Sequence, residues 1–155
     1  MPLQLVHPVH RATHRIGLYL DDLRERGLTQ GEAHILALLT DSGRANVAEL
    51  HRGLAHKRST LTSILDRLAR RRLITRAVGE TDRRTFLVRL TAKGRKLAKR
   101  IRRHLSTLEQ AVAHQVSAAD MKGFTKVIAA LEDEARHRVR STGVQSNRPR
   151  RKRAS

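Results

Sequence analysis

The sequence predicts a mainly α-helical fold interrupted by one small β-hairpin. Three observations carry that expectation. The chain of 155 residues has only three aromatic side chains, Tyr19, Phe86 and Phe124, so Leu, Ile, Val and Ala must do the packing. That supply favours helices over a β-sandwich. Apolar residues recur at steps of three and four along most of the chain, the spacing that gathers them on one helix face. Two short runs break the spacing, residues 73–78 (LITRAV) and 85–90 (TFLVRL). Both are rich in β-formers and near strand length.

Taken in order, Val9, Ala12, Ile16, Leu20 and Leu23 predict a first helix over 9–24, with Gly27 as a left-handed cap. Thr29 followed three residues later by Glu32 is a capping box that opens a second helix. Ile35, Leu36, Leu38 and Leu39 supply its buried side, and Asp41-Ser42-Gly43 closes it. Asn46 with Glu49 starts a short third helix carrying Leu50 and Leu54. A fourth helix, over 58–71, has the apolar stripe Leu61, Ile64, Leu65 and Leu68 and ends in the run Arg70-Arg71-Arg72. The two β-rich runs flank the polar link GETDRR and form a hairpin, the only sheet expected. Thr91 starts a long helix through about residue 115, with Leu97, Ile101, Leu105, Leu108 and Val112 along one side. Ser117 with Asp120 resembles another cap. The last helix carries Met121, Phe124, Val127, Ile128 and Leu131 and is expected to end near Arg138. The remaining segment, almost without apolar residues, reads as a disordered tail.

Charge narrows the function. Lys and Arg number 33 against 14 acids, a formal net charge of +19. Self-repulsion makes that excess a burden in a compact state, whereas a polyanionic partner accounts for it. A membrane surface fits poorly, because the basic helices that bind one usually expose Trp or Phe, and Trp is absent here. Three scattered aromatics also make a poor platform for stacking single-stranded RNA. The absence of Cys removes disulfides and thiolate metal sites. The N-terminal MPLQLVHPVHRATHR has no long apolar run, so no signal peptide is expected, and no stretch approaches a membrane span. A cytoplasmic, nucleoid-associated protein is the expectation. No nucleophile elbow, P-loop or zinc-protease motif is present, so the chain is not expected to be an enzyme and no cofactor is expected.

The order of elements in the middle of the chain is that of a winged helix-turn-helix. A helix that enters the major groove needs hydroxyl and basic side chains outward and an apolar stripe inward. Residues 57–68 satisfy both demands. The hairpin adds a basic tip at Arg83 and Arg84, suited to the backbone or minor groove.

Residues 28–103 also resemble the multiple-antibiotic-resistance regulator (MarR) family. The resemblance lies in LTQGEAHILALL, in VAELHRGLAHKRSTLTSILDRLARRRLITR and in ETDRRTFLVRLTAKGRKL, matched in order and spacing. It implies a winged helix-turn-helix with N- and C-terminal dimerisation helices, and a homodimeric repressor released by a small ligand. Lys57, Arg58, Ser59, Thr60, Thr62, Ser63 and Arg67 become the groove-facing candidates on the reading helix. Asp82, Arg83 and Arg84 become the wing, with Asp82 shaping it. Arg70 and Arg71 are the expected phosphate contacts. Asp66 is a second acid on the reading helix that could hold a wing arginine. Arg72 stands where the family often has Gly, and arginine enters the left-handed conformation only at a cost, so a different helix end is expected.

The resulting division is an N-terminal dimerisation helix (1–27), a DNA-binding lobe (28–92), C-terminal dimerisation helices (93–139) and a disordered basic tail (140–155). Long apolar stripes at both ends of a small chain are hard to bury within one copy, which itself points to a homodimer. The partners expected are a pseudo-palindromic double-stranded operator, a second copy of the chain, and a small-molecule effector. His10, His14, Arg15 and Tyr19 are candidates for an effector pocket, and the positive charge suits an aromatic acid. His7, His10 and His14 share one helix face and are weak candidates for a metal. Two other readings remain at this point: a DNA-coating protein with little sequence preference, and a metal-responsive regulator using the histidine face.

Overall fold

A computed structural model describes residues 3–23, 27–55, 57–78 and 86–145, with side chains through residue 139. The chain divides into two compact units, Met1–Glu109 and Gln110–Ser155. Within the first unit, α1 (Val6–Asp21) starts three residues earlier than its apolar pattern predicts. Pro8 lies in the first turn, where a missing N–H costs nothing. The helix also ends earlier, at Asp21, so Gly27 does not cap it. Gly27 is left-handed all the same, at φ 73°, in the loop that leads to the next helix.

Helix α2 (Gln30–Leu38) begins with the expected capping box, both halves present. Its buried side is Ala33, Ile35, Leu36 and Ala37 with Leu39 just beyond, while Leu38 points to solvent. The three residues Arg44–Asn46 form β1, a strand the sequence reading missed. Helix α3 (Val47–Leu54) follows behind the capping box of Asn46 and Glu49 and buries Leu50. Helix α4 (Arg58–Arg70) buries all four members of its predicted stripe, Leu61, Ile64, Leu65 and Leu68. Strands β2 (Ile74–Val78) and β3 (Phe86–Leu90) pair antiparallel, and β3 also pairs with β1, giving the order β1-β3-β2. The hairpin is therefore two strands of a three-stranded sheet.

The turn from α4 into β2 is built around Arg72, which adopts φ 56°. The Arg72 N–H donates to the carbonyl of Ala69 (2.9 Å) and the Leu73 N–H to that of Leu68 (3.0 Å). Those two bonds make a Schellman cap, the arrangement that glycine usually serves. The helix end is thus not remodelled to suit arginine; arginine adopts the conformation the bonds require, at a cost of about 1 kcal/mol.

The same corner holds the start of α5 (Ala92–Ala113). The Thr91 N–H donates to the Leu73 carbonyl (3.1 Å), and the Thr91 hydroxyl donates to that of Arg72 (2.8 Å). Its oxygen accepts from the Gly94 N–H (3.0 Å). A Cβ placed on Gly94 would lie 1.8 Å from the Leu73 carbonyl oxygen. Only glycine fits there. The core of this unit joins Leu20, the α2 and α4 stripes, Leu73, Ile74, Val88 and Leu90 of the sheet, and Leu97, Ala98 and Ile101 of α5.

The second unit is dominated by α6 (Ala118–Gln145), which runs past Arg138 and through the first residues of the expected tail. The basic run Arg148 to Arg153 lies outside the described residues. Ser117 caps α6 as predicted: the Asp120 N–H donates to its hydroxyl oxygen (3.1 Å). The Ser117 hydroxyl and N–H in turn donate to the Asp120 carboxylate (2.6 and 2.9 Å). These bonds hold the Asp120 carboxyl below the usual carboxylate range.

Candidate nucleic-acid interface

The candidate interface is centred on α4. Its sequence separates two kinds of side chain around the helix. Leu61, Ile64, Leu65 and Leu68 go inward, each at most 4% exposed. Lys57, Arg58, Ser59, Thr60, Thr62 and Ser63 are all exposed. The helix start is electrostatically open: Lys57 at the N-cap makes no side-chain capping bond, and the first turn holds no acid. Unbonded N–H groups, the positive end of the helix dipole and two cations therefore converge on one spot, a combination that favours phosphate. The Thr62 hydroxyl donates to the Arg58 carbonyl (2.9 Å), leaving its oxygen lone pairs as acceptors.

Arg67 and Arg71 both face Glu32 of α2. Among the described residues Glu32 is the buried charged side chain, 1% exposed. One of its oxygens accepts from the Thr29 N–H at the start of α2 (2.7 Å), and the other from Arg67 Nε (2.9 Å). Arg67 is thus turned toward α2 as a strut for the reading helix. Arg71 Nη1 donates to the Gly27 carbonyl (3.1 Å) and lies 3.9 Å from Glu32. It belongs to the far end of α4, behind the reading turns. Arg70 is exposed.

The wing is joined to α4 through Asp66, but its partner is a strand residue. Arg76 of β2 pairs with Asp66 (2.9 Å) and donates to the Thr62 carbonyl (3.2 Å). This contact fixes the base of the hairpin against the reading helix. Asp82, Arg83 and Arg84, the predicted wing tip, lie outside the described residues.

A cleft of about 440 Å³ runs beside α4, between it, α3 and the wing strand. His51, Arg52, Arg58, Thr62 and Phe86 line it, over a floor that includes Leu61. His51, Arg52 and Phe86 were not picked out from sequence. The first two sit in the last turn of α3, an ordinary place for cations on any helix. Phe86 pairs with Val78 at the outer end of the hairpin, where it is 54% exposed.

Helix α1 carries His7, His10, His14 and Arg15, all exposed. Tyr19, one turn further on, stacks against His104 of α5 with ring centroids 3.8 Å apart. The Tyr19 hydroxyl donates to the His104 carbonyl (3.1 Å), and His104 Nε2 donates to the Tyr19 carbonyl (2.9 Å). A carbonyl only accepts, so Nε2 carries a proton. Tyr19 is a clamp between two helices and does not stand open beside His10 and His14. Among the described residues no group of three metal-capable side chains comes together. Among them, too, no helix is long and apolar enough to cross a membrane.

Three helices, a short third strand and a two-stranded wing, with a polar and cationic face on the last helix of the three, define the lobe as a winged helix-turn-helix. Residues 28–86 match the MarR family model. The transcriptional repressor MdtR of Bacillus subtilis (strain 168) is 32% identical over 75 residues, 48% of this chain and 48% of that protein. The chain therefore matches about half the length of this curated relative. The fold is similar to that of the PcaV transcriptional regulator from Streptomyces coelicolor, solved with its natural ligand. There the TM-score is 0.70 at 21% identity, covering 86% of this chain and 94% of that one. It is similar again to S. aureus MepR in complex with DNA, with a TM-score of 0.71 at 20% identity, covering 86% and 99%. The lobe is a winged helix, and the match to the MarR family model falls within it.

Proposed function

We propose that the chain is a sequence-specific regulator of transcription that binds double-stranded DNA through α4 and the wing. One observation carries this reading. Helix α4 spends its whole apolar stripe on the core and presents Arg58, Ser59, Thr60, Thr62 and Ser63 outward, on a chain of net charge +19. Those side chains donate to and accept from base edges, while Lys57 and the open helix start suit the backbone. The wing tip Asp82-Arg83-Arg84 extends the contact along the duplex.

The active form in this reading is a homodimer assembled through the terminal helices. Met121, Phe124 and Val127 of α6 are each at least 42% exposed in one chain, and Leu18 of α1 is 56% exposed. A two-fold axis then places two reading helices about one DNA turn apart on a pseudo-palindromic operator. Repression by occlusion of a promoter, released by a small effector, fits the relatives. An aromatic acid is the effector class that the positive charge favours, with His10, His14 and Arg15 as its candidate contacts.

Selection from randomised duplexes, followed by footprinting of the enriched sequence, tests the reading. The expected result is a two-fold motif with half-sites about one turn apart. Recovery of duplexes with no shared motif would instead favour the DNA-coating reading, which the net charge also supports.

A further inference from the structure

We infer that Glu32, buried on α2, sets base specificity without touching DNA: it aims Arg67 of α4 end-on at a guanine in the major groove. The inference rests on the proposed role of α4 and adds to it a reader and the residue that positions the reader. Glu32 is 1% exposed, while the Arg67 side chain keeps 40% of its surface open. One Glu32 oxygen accepts from Arg67 Nε (2.9 Å) and the other from the Thr29 N–H (2.7 Å). The carboxylate that holds Arg67 is thus itself held by backbone.

A guanidinium is a planar fork of five N–H donors. The Nε–H is the donor nearest the stem, and among the described residues it is the one the Arg67 side chain has engaged. The two terminal nitrogens keep four donors, and two of these point away from the stem at the end of the fork. Guanine offers N7 and O6 side by side in the major groove, the match for such a pair. Adenine has a donor in place of O6 and meets the fork with one acceptor fewer. Thr60, Ser63 and Arg67 follow at steps of three and four, so Arg67 continues the row of two exposed groove-facing candidates.

Folding does not require an acid at this place. Glutamine at position 32 would complete the same capping box without burying a charge. Phosphate binding does not require one either. The carboxylate also lies 3.9 Å from Arg71, and it weakens the pull of both arginines on an anion. A base edge carries no net charge, so what it gains from Arg67 is direction, which Glu32 supplies. An arginine fixed in advance also loses less side-chain freedom on binding.

The test uses the full chain and the duplex enriched from a randomised pool, with 7-deazaguanine, which lacks the N7 acceptor, placed at each guanine in turn. One guanine in each half-site should lose roughly tenfold in affinity on that replacement. In Arg67→Lys the charge stays, and lysine can still face Glu32, but the fork is gone. The same replacement should then change affinity by less than about twofold. Glu32→Gln, which keeps the cap, should lower the preference for that guanine by roughly threefold or more and leave the other pairs unchanged. Undiminished sensitivity to 7-deazaguanine in Arg67→Lys would overturn the reader, and in Glu32→Gln it would overturn the aiming. Equal weakening at every base pair would reduce the contact to a brace of the fold. A pool that yields no shared motif would remove the proposed function as well, an outcome distinct from a motif whose guanines ignore both variants.

Discussion

Helices α4 and α6 carry the same kind of apolar spacing and meet opposite fates. The 13 residues of α4 bury four leucine and isoleucine side chains, and their polar neighbours are left free to contact a partner. The 28 residues of α6 bury none through residue 139, and Phe124 is 59% exposed. Periodicity says that a helix has an apolar side; it does not say whose surface covers it. In the lobe the chain covers its own stripe. Along α6 it does not, which is why the proposed dimer rests there and the proposed reading face rests on α4.

This contrast can be broken at its strongest point. Gly94→Ala sets a methyl group into the Leu73 carbonyl, and the backbone of both α5 and the α4–β2 corner must move. A loss of about 3 kcal/mol or more is expected in denaturant unfolding of the lobe. A loss below about 1 kcal/mol would show that the corner is loose. Glu32→Ala comes next. It removes half of a capping box and the buried partner of Arg67, which is itself partly exposed, so about 2 kcal/mol is expected by the same measurement.

Phe124→Asp should act the other way round. The lobe should change by less than about 0.5 kcal/mol, as at ordinary surface positions. In sedimentation, however, self-association should weaken by roughly tenfold or more, as expected for burial of a charge at an apolar contact. Unaltered association would remove α6 from the interface. The smallest effect is at Asp120. Its carboxyl is held down by bonds from Ser117, so the cap is complete above the usual carboxylate range and fails as pH falls through the lowered value. An NMR titration should show Ser117→Ala returning Asp120 toward ordinary behaviour.

Much of the fold was legible because each element is announced by local chemistry. Thr29 with Glu32, Asn46 with Glu49, and Ser117 with Asp120 all cap the helices they open. The misses share a cause. Strand β1 is three residues long and defined by its pairing with β3, a partner some forty residues away in sequence that no local pattern names. Leu38, expected on the buried side of α2, is an apolar residue at a position that only tertiary packing shows to be exposed. Arg67 and Arg71 illustrate the limit at the site: sequence places both on the reading helix, and only the buried Glu32 shows that they brace it. Arg72 was read correctly as a strained position, yet the strength of the Schellman bonds over the strain was not evident before the corner was assembled.

The central claim is that α4 reads sequence and does not merely attract phosphate. Fluorescence anisotropy tests it directly, comparing DNA from upstream of the chain's own coding region with a scrambled duplex across a salt series. Near physiological salt the upstream duplex should bind at least roughly a thousandfold more tightly, with two chains per duplex, while the scrambled one fades with counterion release. Equal affinities that fall together as salt rises would contradict the account and leave a charge-driven DNA coat.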